Sequence, residues 1–234
     1  MFVDMELEGI MRPPELPMPP YPPKVVTMAT GQQMVIRQVT REDVPAILDA
    51  IRPTLSIERD FYDVVGARLY AELLSWQKYR AANHYCIIGQ IEGILVGIVN
   101  GRMYTKDVGM SLHTMTIERG LRVGGHLFSA KMEYQIEYLD QKEVLIVAES
   151  PIGMRRFLID FELEPRPDTP HELGGVPSNS LTKELWFKHR ARTVVGDRPV
   201  PKKLMKVAER EIITPTEELI NQNIMGEKRM RSLI

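Results

Sequence analysis

Arg119-Gly120-Leu121-Arg122-Val123-Gly124-Gly125-His126-Leu127-Phe128 joins a strand-like run to an amphipathic helix through a glycine-rich basic turn. Such a turn suits an anion. Gly124 and Gly125 let the backbone come close to a phosphate, and the following helix directs its unpaired N–H groups and the positive end of its dipole at the same place. Arg119 and Arg122 add charge beside it. A Walker A loop needs Gly-Lys-Ser/Thr where this chain has Gly124-Gly125-His126, and a Rossmann turn needs GxGxxG, so the cradle is of a third kind.

Working outward from the turn, residues 110–116 read as the strand that enters it. Residues 125–139 read as the helix that leaves it, with Phe128, Met132, Ile136 and Leu139 on one face. The apolar run 144–148 is the next strand. Upstream, residues 85–91 and 94–99 flank Glu92-Gly93 and predict a hairpin. Before it stand a strand at 34–39, a helix at 43–51 with Pro45 in its first turn, and a helix between 56 and 80 carrying Phe61, Val65, Leu69, Leu73 and Trp76 at helical spacing. Downstream, a short helix at 154–158, a Pro/Gly-rich loop and a last strand at 181–187 complete an α/β pattern with all sheet elements in one domain.

The chain has 234 residues, enough for one domain of roughly 150 residues with appendages. Seven prolines between Pro13 and Pro23 make residues 1–31 an extended arm. It is either a tail or a segment that drapes over its own domain or a neighbouring subunit, anchored by Tyr21 and Met18. Residues 32–190 form the domain and 191–234 a helical C-terminal extension, in which Thr214-Pro215-Thr216-Glu217 reads as a capping box with proline at the first helical position. The extension is too short for a core of its own and is expected to pack on the domain or on a partner.

Lys plus Arg (30) nearly cancels Asp plus Glu (31), so net charge argues for neither a nucleic-acid nor a membrane partner. Cys86 stands alone, which rules out an intrachain disulfide and a Cys-rich zinc site and favours a reducing compartment. No apolar run approaches the roughly 20 residues of a membrane helix, and Asp4, Glu6 and Glu8 break the pattern of a signal peptide. A cytoplasmic location is expected.

Three stretches resemble the GNAT superfamily of acyl-CoA-dependent N-acetyltransferases: Ile36-Arg37-Gln38-Val39-Thr40-Arg41-Glu42-Asp43, then Thr114-Met115-Thr116-Ile117-Glu118-Arg119-Gly120-Leu121-Arg122-Val123-Gly124, and Ser150-Pro151-Ile152-Gly153-Met154-Arg155-Arg156-Phe157 leading to Asp160-Phe161-Glu162. The family cradle, Gln/Arg-x-x-Gly-x-Gly/Ala, maps onto Arg119, Arg122 and Gly124, with Arg122 in place of the first glycine. The resemblance implies a mixed, mostly antiparallel central sheet flanked by helices. It implies acetyl-CoA as co-substrate, its pyrophosphate on the backbone of Arg119, Gly120, Leu121, Arg122, Val123, Gly124, Gly125 and His126. The pantetheine arm would lie against the strand end at His113, Thr114 and Met115. Arg122 either adds a phosphate contact or narrows the approach.

The implied reaction is acetyl transfer to a primary amine by direct attack in a ternary complex, the acceptor being a small molecule or a protein. It needs a deprotonated amine, an aligned thioester and a proton for the leaving thiolate. The family usually supplies that proton from a tyrosine in the helix after strand five, but no tyrosine follows Tyr138, and Phe157 stands at or near the place. His113 and Glu118 are the candidate bases, each with a structural alternative: a satisfied strand histidine, and a solvated ion pair with Arg119. Cys86 reads as a small buried hydrophobe rather than a nucleophile, and His84 and Asp107 as loop candidates. Glu58, Asp60 and Asp63 would either attract an amine or form a charged helix face. The alternative to an enzyme is an inactive GNAT-like module, with the two extensions holding a second copy or a protein partner.

Overall fold

The apolar runs on either side of Glu92-Gly93 close as a hairpin because both turn residues take positive φ (53° and 85°), the geometry of a tight primed turn. The computed structural model describes residues 5–148, 150, 153–155, 161–173 and 177–226. Around the hairpin strands β3 (His84–Ile91) and β4 (Ile94–Met103) lies an eight-stranded sheet with β1 (Lys24–Thr27), β2 (Gln33–Gln38), β5 (Val108–Thr116), β6 (Glu143–Ile146), β7 (Glu164–Arg166) and β8 (Ser178–Thr182). The order is β1-β2-β3-β4-β5-β6-β8-β7. Every neighbouring pair is antiparallel except β5 and β6, which run parallel.

The central strands are buried on both faces, which is why they read as nearly continuous apolar runs. One face packs on α2 (Val44–Ile51) and α3 (Tyr62–Gln77): Cys86, Ile88, Ile98 and Met115 meet Ile47, Ile51, Leu69 and Leu73. The other packs on α4 (Val123–Glu133), where Tyr85, Ile87 and Val99 meet Val123, Leu127 and Tyr134. α4 then continues through a π turn, Tyr134–Tyr138. Phe128, Met132 and Ile136 point toward β6, Leu181 and Trp186 in a third apolar cluster.

The strand expected at 181–187 stops at Thr182, and Lys183–Thr193 is helix α5. The Thr182 hydroxyl accepts from the Leu185 N–H, so it caps the helix and turns the chain out of the sheet. In the extension, α6 spans Lys202–Arg210 and α7 spans Glu217–Met225. The α7 cap is Thr216, which accepts from Leu219 N–H, rather than Thr214; Pro215 therefore lies outside the helix. Of the short helix expected at 154–158, residues 153–155 are helical and the remainder, Phe157 included, lies outside the described residues. No helix among the described residues is long and apolar enough to cross a membrane.

The described parts of the arm and of the extension both pack on the domain. The arm carries a short helix, α1 (Met5–Ile10), and its last part forms β1, which pairs with β2. Ile213 pairs with the edge of the hairpin turn, donating to Gly93 and accepting from Leu95, and Ile220 and Ile224 of α7 join the α2/α3 cluster. The two ends meet on α4. There Glu133, 1% exposed as a side chain, accepts from the Tyr21 hydroxyl (2.6 Å), from Lys24 Nζ (2.8 Å) and from Arg198 through both carboxylate oxygens (3.0 and 3.2 Å).

Burial opposes charge on Glu133, but Arg198, Lys24 and Tyr21 outweigh it and hold the carboxyl at about 2, against 4.5 unperturbed. A depressed carboxyl contributes stability above its unfolded value and loses it as pH falls. We expect about 3 kcal/mol from this group at neutral pH, lost between about pH 4.5 and 2. Glu133→Ala, which strands Lys24 in the interior, is expected to cost about 3–5 kcal/mol in urea denaturation at pH 7. The deficit relative to the unaltered protein should shrink by about 3 kcal/mol toward the acid end of that window.

Candidate acyl-CoA cleft and its polar lining

β5 pairs with β6 only from Val108↔Glu143 to Ser111↔Ile146, after which β6 ends while β5 runs on to Thr116. At that same point β5 bulges against β4. Val99 stands opposite Thr114 and Gly101 opposite Ser111, so Leu112 and His113 together face Asn100. A bulge bends its strand and increases local twist, and here it turns β5 away from β6 and opens a cleft of about 560 Å³ between them. The side chain of Asn100 replaces the lost ladder bond by accepting from the His113 N–H at 2.8 Å.

At one end of the cleft lies the glycine-rich turn. Gly120 (φ 91°) and Arg122 (φ 60°) are both left-handed, and the chain enters α4 directly after them. Arg122 thus holds a conformation that costs a non-glycine residue roughly 1–2 kcal/mol, at the position where the motif carries its first glycine. Gly124 is the point of close approach: a Cβ there would lie 2.6 Å from Thr116 Oγ1, so only glycine lets the α4 start rest on the end of β5. Gly125, with no atom within 4 Å of a would-be Cβ, leaves its backbone open.

The guanidinium of Arg119 is held by Asp60, 2.7 Å away, and lies 5.8 Å over the Tyr62 ring. Asp60 and Phe61 reach this position through two left-handed residues at the entry to α3, and the Tyr62 hydroxyl donates to Thr116 O at 2.6 Å. His126 lines the wall in the first turn of α4; burial, then the neighbouring Arg122, lowers its proton affinity and keeps it neutral at pH 7.

Of the residues singled out above, His113, Thr114, Met115, Arg119 and Gly120 line the cleft, as do Arg122, Val123, Gly124, Gly125 and His126. Leu121 instead packs on the cluster beneath the arm. Glu118 is not brought to the cleft: its N–H bonds Val96 O, turning the chain past the end of β5, and its carboxylate accepts from Asn223 of α7 at 2.7 Å. Cys86 is fully buried in β3, and burial pushes its thiol up. His84 is also within β3 rather than a loop, held neutral by burial at about 4. Asp107 pairs with Lys142 on the surface, 3.2 Å away.

At the other end, on the α3 face, His113 Nε2 lies 3.0 Å from Glu72 Oε1, and Glu72 Oε2 accepts from Asn100 Nδ2 at 2.6 Å. Burial would raise the Glu72 carboxyl, but the bonds from His113 and Asn100 outweigh it and hold it below its ordinary value. Glu72 is therefore ionised, His113 carries its hydrogen on Nε2, and Nδ1 is the nitrogen that can accept a proton. Glu72, Asn100 and the buried Lys131 escaped the sequence reading. Glu72 is 41 residues from His113 and has no motif. Lys131 does leave a trace: Leu127, Lys131 and Tyr134 recur at i, i+4, i+7, which places the lysine on the buried face of α4.

No protein-family model and no curated protein matches this chain. Among solved structures it is similar to an uncharacterized protein of Bacillus halodurans (12% identity, 74% of this chain and 96% of that one, TM-score 0.52). It is also similar to apo FdhC, a nucleotide-linked sugar GNAT (8% identity, 76% of this chain and 100% of that one, TM-score 0.50). At such identities the likeness is one of fold. With its mostly antiparallel sheet, helices on both faces and single parallel pair, the chain has the GNAT fold.

Glu72→Ala would leave the Asn100 amide and the His113 imidazole without an acceptor. We expect it to cost about 1–3 kcal/mol in urea denaturation. Glu72→Gln, which keeps a carbonyl acceptor, should lose less.

Proposed function

We propose that this chain is an acyl-CoA-dependent N-acyltransferase that moves an acetyl group from acetyl-CoA to a primary amine by direct attack in a ternary complex. One observation carries the reading: a single cleft joins an open helix N-terminus at Gly124-Gly125, the edge of β5 that β6 leaves beyond Ser111, and His113, whose imidazole is held by Glu72 behind it. The order matches the parts of the co-substrate. Exposed N–H groups at the start of α4 would take the pyrophosphate. The free strand edge would pair with the amide-bearing pantetheine arm, as an added strand pairs with a sheet. The thioester would then stand near His113.

His113 Nδ1 would accept the proton that the attacking amine sheds as its nitrogen bonds the acyl carbon, with Glu72 fixing the tautomer and stabilising the imidazolium. The acceptor, a small molecule or a protein, would approach past Val65, which lines the cleft on its α3 side. We place this work in the cytoplasm, on the evidence of the single buried Cys86. The two ends of the chain are our candidates for contact with a second copy or a protein partner.

A second reading, a domain that binds acyl-CoA without transferring it, is favoured by the lack of any tyrosine after Tyr138. Two measurements separate the readings. Calorimetry should show acetyl-CoA binding, and absence of binding at millimolar concentration would rule out both. Thiol release across a panel of primary amines should then find an acceptor. His113→Ala should slow release about 100-fold while acetyl-CoA still binds, and a protein that binds acetyl-CoA yet acetylates no amine would support the module.

A further inference from the structure

Lys131 is a buried cation in the cleft wall, and the transfer described above gives it no task. Only 1% of the residue is exposed. Its Nζ donates to His113 O (3.0 Å) and to Thr114 Oγ1 (3.2 Å), and sits 5.4 Å from the Phe128 ring centroid. An ammonium has three N–H bonds, and among the described residues these two acceptors take two of them, in a side chain that lines the cleft. The ionisable groups that face it are Glu72 from α3, Cys86 from β3, His113 from β5 and His171 from the loop before β8. Burial outweighs the pull of Glu72 and brings the ammonium down to about 7. It therefore gives up a proton more readily than an ordinary thiol, near 8.5, does.

We propose that Lys131 is the acid of the transfer, giving its proton to the thiolate released when the thioester C–S bond breaks. This rests on the acyltransferase reading above. The step balances. The amine nitrogen forms a bond to the acyl carbon and loses a proton to His113, the C–S pair leaves on sulfur, and sulfur takes the Lys131 proton. The products are an amide and a free thiol. His113 then releases its proton to water and Lys131 regains one, so no other reactant is needed.

Position and elimination both support the assignment. Lys131 follows Gly124 by seven residues along α4, about 10 Å of helix, so one straight element holds both the anion site and the ammonium. The other ionisable groups that line the cleft, among the described residues, are already committed. Asp60 and Arg119 hold each other, Arg122 and Arg192 do not give up protons, and His126 is neutral and lies at the anion end. His113 serves as the base, and the Tyr62 proton is held by Thr116 O.

The test uses the full chain, acetyl-CoA, and hydroxylamine as a small amine that needs no acceptor site. Acetyl-CoA binding is measured by calorimetry and thiol release by absorbance, both across pH, for the unaltered protein, Lys131→Met, Lys131→Arg and Tyr62→Phe. In the unaltered protein the rate should fall as pH rises through about 7, where the acid is lost. Both Lys131 variants should bind acetyl-CoA as the unaltered protein does, release thiol about 100-fold more slowly, and show no such falling limb. NMR titration of the unaltered protein with 13C-labelled lysine supplies a measurement free of any folding defect, and the lysine signal that is missing from Lys131→Arg should titrate near 7.

Thiol release at full rate from either Lys131 variant would overturn the proposal and leave the transferase reading standing. So would a Lys131 midpoint at the ordinary lysine value of about 10, or a falling limb lost in Tyr62→Phe but kept in Lys131→Arg. An unaltered protein that binds acetyl-CoA but releases no thiol would overturn the proposal together with transfer, leaving binding intact. Failure to bind acetyl-CoA would overturn both.

Discussion

The parting of the parallel strands β5 and β6 after Ser111↔Ile146 is the constraint on which the rest of the cleft depends. Backbone N–H and C=O groups need partners wherever water is excluded, and a strand that loses its neighbour exposes a row of them. In this protein two of the released carbonyls are met by side chains: His113 O by Lys131 and Thr116 O by Tyr62. The bulge opposite Asn100 provides the bend, and glycine at 124 lets α4 fill the angle with its N-terminus turned to the opening. Closing the ladder would remove the cleft onto which the start of α4 opens.

α4 bears on all of this, because it carries the glycine-rich turn at one end and Glu133 at the other. The arm and the extension are both fastened to it through that carboxylate. Tyr21 and Lys24 come from the arm, and Arg198 from the extension. A buried charge is tolerable only when neighbours satisfy it, so Glu133 fixes where both segments lie. Lys131 stands two residues away on the same helix. The segments that looked like appendages therefore help to set the position of the cleft wall, and β1 extends the sheet itself.

Helix and strand periods, the Glu92-Gly93 turn and the cradle motif were legible because each depends on neighbours within a few residues. The same local reading failed where two local signals competed. The apolar content of residues 181–187 suggested a strand, but the Thr182 cap ended it and Trp186 took its burial from a helix face. At the site, Glu118 looked well placed at the end of β5, yet the turn past Val96 sends its carboxylate to Asn223 of α7. His113 was legible as an imidazole inside a strand. Its partner Glu72 was not, because a carboxylate on one face of α3 looks the same in sequence whether it meets water or a histidine.

From sequence alone came the glycine-rich turn and most of the order of strands and helices around it, since glycine geometry and side-chain periodicity act at short range. Only the tertiary structure decided what the turn opens onto. Packing of α3 against β5 brings Glu72 to His113, packing of α4 places Lys131 beside Thr114, and the end of β6 leaves an edge that none of these residues specifies locally. Those contacts join residues 17 to 41 positions apart. The physical reason is that burial, desolvation and pairing are properties of the assembled interior, where a lysine that would be a solvated cation on an isolated helix becomes a cation with two protein acceptors in the wall of a cleft.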